Sequence, residues 1–164
     1  MNRFAKQISL VLAAALLVLA IDQSVKRLVV GAMHLGESHT LLPGILDISY
    51  HQNTGAAFSI LHDAPAAVLI LLNLVVLGIF VFLIYPHLST RWGVISAALI
   101  TGGALGNLLD RIRLHYVVDF FDLHVWPVFN IADMAIVIGV MMLVVVIVMS
   151  ERKNRLSSSG GARS

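Results

Sequence analysis

Residues Ala66–Tyr85 read AAVLILLNLVVLGIFVFLIY, twenty positions with one amide, Asn73, and no charge. At about 1.5 Å per residue such a helix is ~30 Å long, the thickness of a bilayer's hydrocarbon core. Asp63 and Pro65 stand where helices open, and Pro86 stops the run. This stretch makes the chain a membrane protein, and its neighbours repeat the pattern. Working outward, further spans are expected at 92–109, 131–149 and 8–25. The first follows Arg3 and Lys6 as a secretory leader would. Asp22-Gln23-Ser24-Val25-Lys26 nevertheless continues its helical register without an obvious small-x-small cleavage site, and three further spans follow, so it is read as an uncleaved span. The expected fold is an all-α polytopic membrane protein with four transmembrane helices and a small periplasmic β-sheet/loop subdomain. Residues 1–151 would form the single membrane domain. A Ser/Gly-rich tail, 152–164, is expected to be disordered.

Composition agrees with this reading. Hydrophobic residues make up 59% of the chain and charged residues 12%, and the mean hydropathy is +0.91, outside the range of soluble domains. Long apolar runs favour helices over barrel strands. The absence of cysteine removes disulfides, thiolate metal sites and a thiol nucleophile. A net charge of +2 does not point to nucleic acid, because the basic residues are scattered and mark span ends. Arg3, Lys6, Arg91, Arg152, Lys153, Arg155 and Arg163 fall on one side, against Lys26, Arg27, Arg111 and Arg113 on the other. The positive-inside rule then puts both termini in the cytoplasm.

The outer segment, 27–64, contains Leu46, Ile48 and Tyr50 alternating with Asp47, Ser49 and His51, a half-buried strand pattern after the Leu42-Pro43-Gly44 turn. Gln52-Asn53-Thr54-Gly55 reads as a turn, and Ala56 to Leu61 as a short apolar helix or loop that dips into the interface.

Ionisable and amide groups near membrane depth are costly, and Asp22, Lys26, Asn107, Asp110, Arg111, Asp119, Asn130 and Asp133 all fall at the outer ends of spans. In a bundle they converge on one layer. Each has a structural reading beside the functional one. Asp22 and Lys26, at i and i+4, form either a local salt bridge or part of a site. Gly102, Gly106 and Asp110 share a helix face, and the glycines by themselves mean close packing. Asp110 and Arg111 also fit a structural ion pair. Asn130 and Asp133 fit ordinary helix-start chemistry. The sharper reading pairs Asp133 with Asp119, a carboxylate set among Val117, Val118, Phe120 and Phe121 where desolvation raises its pKa. Two carboxylates sharing a proton activate water without metal, thiol or serine. In such a pair the positive end of the fourth helix favours an ionised Asp133 and a proton on Asp119.

Other chemistries fit worse. No His-Glu-x-x-His occurs and the seven histidines lack helical ligand spacing, which disfavours zinc. Lys26 is the only outer lysine, and Ser24 lies on a different helical face, which disfavours a Ser/Lys dyad. A proton or ion path is disfavoured because the second span offers only Asn73, and the interior of the third only Ser96 and Thr101.

Five blocks carry a more specific signal: Asp22-Gln23-x-x-Lys26; Asn53 to Ser59 (NTGAAFS); Gly102 to Arg111 (GGALGNLLDR); Val117-Val118-Asp119-Phe120; and Phe129 to Asp133 (FNIAD). In these blocks, their order and the four-span layout, the chain resembles the lipoprotein signal peptidase, or signal peptidase II, family. The resemblance implies a membrane aspartyl endopeptidase of the bacterial inner membrane, with its active site at the periplasmic face. Its substrates would be prolipoproteins bearing diacylglycerol on a cysteine, cut just before that cysteine. It also implies Asp119 and Asp133 as the catalytic dyad. Asn53, Gly55, Phe58, Asn107, Arg111 and Asn130 would bind substrate or orient the site, and Asp22, Lys26 and Asp110 would support it. Membrane lipids are the other expected partners; neither cofactor, metal nor nucleic acid is implied. The outer segment with Phe58 is a candidate clamp or lid.

Overall fold

The computed structural model describes residues 2–55 and 65–160. Four helices make up the membrane part: α1 (Arg3–Ala32), α2 (Ala66–Ile84), α3 (Arg91–Leu114) and α4 (Ile131–Gly160). All four are long and apolar enough to cross a membrane. Three strands, β1 (Ser38–Leu42), β2 (Leu46–Asn53) and β3 (Val117–Asp122), form an antiparallel sheet in the order β1-β2-β3.

Local chemistry sets most of the helix ends. The Asn2 side chain accepts the Ala5 N–H at 2.8 Å to open α1, and Thr90 accepts the Gly93 N–H at 3.0 Å to open α3. His115, in the left-handed region at φ 66°, closes α3 and turns the chain into β3. Pro65 caps α2, and a 3-10 turn at Tyr85–His87 ends it around Pro86.

The bundle is tight where side chains are small. A Cβ on Gly102 would stand 2.7 Å from the Ala15 carbonyl oxygen of α1, and one on Gly103 would run into the Ala132 carbonyl oxygen of α4. Backbones therefore meet almost directly on both faces of α3. Val11, Ala97, Ile100 and Leu143 fill the next layer of the core, while Val29, Tyr50, Val118 and Phe120 seat the sheet against α1. α2 is different: it packs mainly on α3, and Leu71, Val75, Ile79 and Phe82 remain exposed, as lipid-facing side chains are.

Several expectations change. α1, α3 and α4 run beyond the expected spans, because a helix continues past the hydrocarbon until a cap ends it, as Asn2 and His115 do; α2 keeps to its span. α4 remains helical through Gly160, so the stretch expected to be disordered from 152 is helix up to that residue. Ser49 and Tyr50 are both buried, because a bulge between Ile48 and His51 breaks the alternation expected of this strand. Asn53 ends β2, paired with Val117 of β3, and its Oδ1 accepts the Gly55 N–H at 3.0 Å, so the expected turn starts from the last residue of the strand. The apolar element expected at Ala56 to Leu61, with Phe58, lies outside the described residues.

Candidate active site

The polar layer forms where α1, α3 and α4 meet the sheet. At its base Lys26 is buried, with Nζ 3.0 Å from Asp22 Oδ2, 2.8 Å from Asp110 Oδ2 and 3.0 Å from Asn107 Oδ1. Gln23 donates from Nε2 to Asp110 Oδ1 at 2.8 Å, and the backbone N–H of Ala132 donates to Asp22 Oδ1 at 2.9 Å. The Val118 N–H donates to Asp110 Oδ2 at 3.3 Å. These bonds tie α1, α3, β3 and the first turn of α4 into one unit. A buried cation with three acceptors is the arrangement that makes burial of charge tolerable. Gly106 makes room for it, because a Cβ there would stand 2.6 Å from Asp22 Oδ2.

Amides connect this base to two carboxylates. Asn107 Nδ2 donates to Asp133 Oδ1 at 2.8 Å. Asn130 Nδ2 donates to Asp119 Oδ1 at 2.6 Å and lies 3.1 Å from Asn107 Oδ1. Asn53 Nδ2 donates to Asp119 Oδ2 at 2.9 Å. This contact follows from strand register: His51 pairs with Asp119, so Asn53 sits diagonally across on the same face. Asn130 and Asp133 also cap α4 reciprocally: the Asp133 N–H donates to Asn130 Oδ1 at 3.0 Å, and the Asn130 N–H to Asp133 Oδ2 at 3.1 Å. The helix-start reading of these two residues and their approach to the other carboxylate are thus parts of one arrangement.

Asp119 and Asp133 both line a cleft of about 360 Å³, together with Asn53, Asn107, Arg111, Trp126, Phe129 and Ile136. Burial, and then the nearby Asp133 charge, push the Asp119 carboxyl from an ordinary 3.8 up to about 7, against the amide hydrogen bonds from Asn53 and Asn130. A group so placed is poised to give or take a proton at neutral pH. Arg111 reaches over the cleft, with Nη2 donating to the Gly55 carbonyl oxygen at 3.3 Å.

The sequence profile of the signal peptidase (SPase) II family matches residues 14–149. The chain belongs to the signal peptidase II family. Among curated relatives, the lipoprotein signal peptidase of Halothermothrix orenii is 40% identical over 137 residues, covering 84% of this chain and 94% of the relative. The lipoprotein signal peptidase of Moorella thermoacetica is 44% identical over 132 residues, covering 79% and 86%. A solved structure described as a bacterial membrane enzyme superposes with a TM-score of 0.76 at 30% identity, covering 90% of this chain and 92% of the other. A second, also described as a bacterial membrane enzyme, gives 0.71 at 29% identity, covering 85% and 93%.

Within this signal peptidase II, the residues singled out from sequence fall into two groups. Asn53, Asn107, Arg111, Asp119 and Asp133 line the cleft, with Asn130 bonded to both aspartates. Asp22, Lys26 and Asp110 lie behind it as the buried base, so Asp110 pairs with Lys26 as well as standing next to Arg111 in sequence. Gly55 meets the cleft through its carbonyl contact with Arg111; Phe58 lies outside the described residues. Gln23, not among the residues singled out from sequence, joins the buried base through Asp110. An uncharged amide in the outer part of an apolar span was the available signal. Trp126 and Phe129, on the cleft wall, carry no such local mark.

Proposed function

We propose that this peptidase removes signal peptides from diacylglyceryl-modified prolipoproteins by cutting the bond before the lipidated cysteine, with Asp119 and Asp133 as the water-activating pair. The observation that carries this reading is one cleft holding both carboxylates, with each side chain oriented by amide donors. The pair holds one proton near neutral pH, and its titration belongs to both groups. Asp133, at the positive end of α4 and receiving the Asn107 amide, is the ionised partner that takes a proton from water. Asp119 supplies its proton to the scissile carbonyl oxygen as the hydroxyl adds to carbon. Collapse of the resulting diol expels the cysteine amine, which leaves with a proton from the pair.

The site's depth suits this substrate. A diacylglyceryl cysteine keeps its acyl chains in the bilayer and its scissile bond near the headgroups, and the cleft lies at the ends of the bundle beside the sheet. In this reading the protein lies in the bacterial inner membrane, its termini are cytoplasmic and the sheet is periplasmic, following the Lys/Arg asymmetry.

The test is cleavage of a diacylglyceryl-modified prolipoprotein by the purified protein in detergent, beside folded Asp133→Asn and an unlipidated precursor. Cleavage of the lipidated substrate by the parent alone is expected. Equal cleavage by the variant would move the chemistry off the aspartates, and cleavage of both precursors would remove the lipid requirement.

A further inference from the structure

A second cavity, of about 240 Å³, lies between α2, α3 and α4, lined among others by Leu69, Asn73 and Phe80 of α2 and Ile100 and Ala104 of α3. Asn107, Arg111 and Ile136 border both it and the aspartate cleft, so the two spaces adjoin. Its wall is apolar apart from Asn73, Asn107 and Arg111. Two of these carry a buried side-chain atom without a hydrogen-bond partner among the described residues: Asn73 Oδ1 and Arg111 Nε. One is an acceptor and the other a donor. Leaving either buried and unmatched costs free energy, most of all at membrane depth, where water does not compensate.

That pair is complementary to a peptide main chain, which offers N–H and C=O groups together. An acyl chain offers neither. An intact helix has already used its own. A short extended segment leaves both free. A membrane-spanning signal peptide must unwind near a cut made at the end of the bundle, and the backbone groups it exposes need partners there.

We propose that this groove takes the unwound main chain on the signal-peptide side of the scissile bond, with Asn73 accepting one backbone N–H and Arg111 Nε donating to one backbone carbonyl. Asn73 is then a positioning residue for the peptidase reaction, and the inference rests on the functional reading above.

Parent and Asn73→Leu are compared on lipidated prolipoprotein peptides, each carrying one amide-to-ester replacement among the four residues before the cut. With the all-amide substrate, Asn73→Leu should lower kcat/KM about tenfold, chiefly through KM, the size expected for one lost hydrogen bond. Its melting temperature should hold or rise, because Asn73 Oδ1 has no partner to lose among the described residues. One ester position should cost the parent a similar factor and cost Asn73→Leu nothing more. Equal activity of parent and variant, ester losses that are the same in both, or an Asn73→Leu protein that fails to fold would each overturn the proposal. A parent that does not cleave the all-amide peptide would instead defeat the peptidase reading itself.

Discussion

The two aspartates differ in what holds them, and that difference is measurable. Asp119 sits on a strand with its carboxyl raised to about 7 by burial and by Asp133, whereas Asp133 sits in the first turn of α4. Replacing either with Asn should lower kcat by about 10²–10⁴-fold, the range for losing a general acid or base, as read by single-turnover cleavage. The pH profile of kcat/KM should be a bell whose alkaline limb falls above about 7, as Asp119 gives up its proton. Stability shifts in a definite direction too. Between 3.8 and about 7 the folded protein keeps a proton on Asp119 that the unfolded chain has released, so this group opposes folding increasingly as pH rises through that window. Asp119→Asn removes the penalty. Its melting temperature in detergent should exceed the parent's at about pH 8 and match it near pH 4.

At the scale of elements, the small-residue face of α3 decides how closely α1 and α4 approach. Gly103→Ala places a methyl against the Ala132 carbonyl, a backbone atom with little freedom to move, and should destabilise the protein by about 1–3 kcal/mol, checked by thermal unfolding in detergent. The same glycines were legible as a packing face, as were the four apolar spans, since both signals are local and periodic. The elements that build the site were less legible. Val117–Asp122 has four consecutive buried residues, so no alternation marks it as a strand, and its partner β2 lies more than sixty positions earlier. Asn53 carries the turn signature of Gln-Asn-Thr-Gly, and only pairing with β3 draws it into the sheet. The polar residues themselves stood out because charge at membrane depth is rare. Their connections, such as Asn130 reaching Asp119 while capping α4, depend on three elements meeting and have no local trace.

For the whole molecule, the cysteine-free chain makes topology directly testable. Trp126→Cys, in the loop before α4, should react with an impermeant maleimide added to intact spheroplasts, and Ser89→Cys, before α3, only after lysis. The reverse pattern would invert the molecule. The Lys26 junction carries a consequence for biogenesis. When α1 enters the bilayer, Asp22 and Lys26 are four residues apart on it, a self-neutralising couple that needs no other helix. Asp110 arrives later on α3 and finds its cation already installed on α1, and the Ala132 N–H at the start of α4 then closes on Asp22. At this junction Asp110 and the Ala132 N–H thus each meet a counterpart translated before them, and the ribosome's own order of delivery spares Lys26 and Asp110 a wait alone in the lipid.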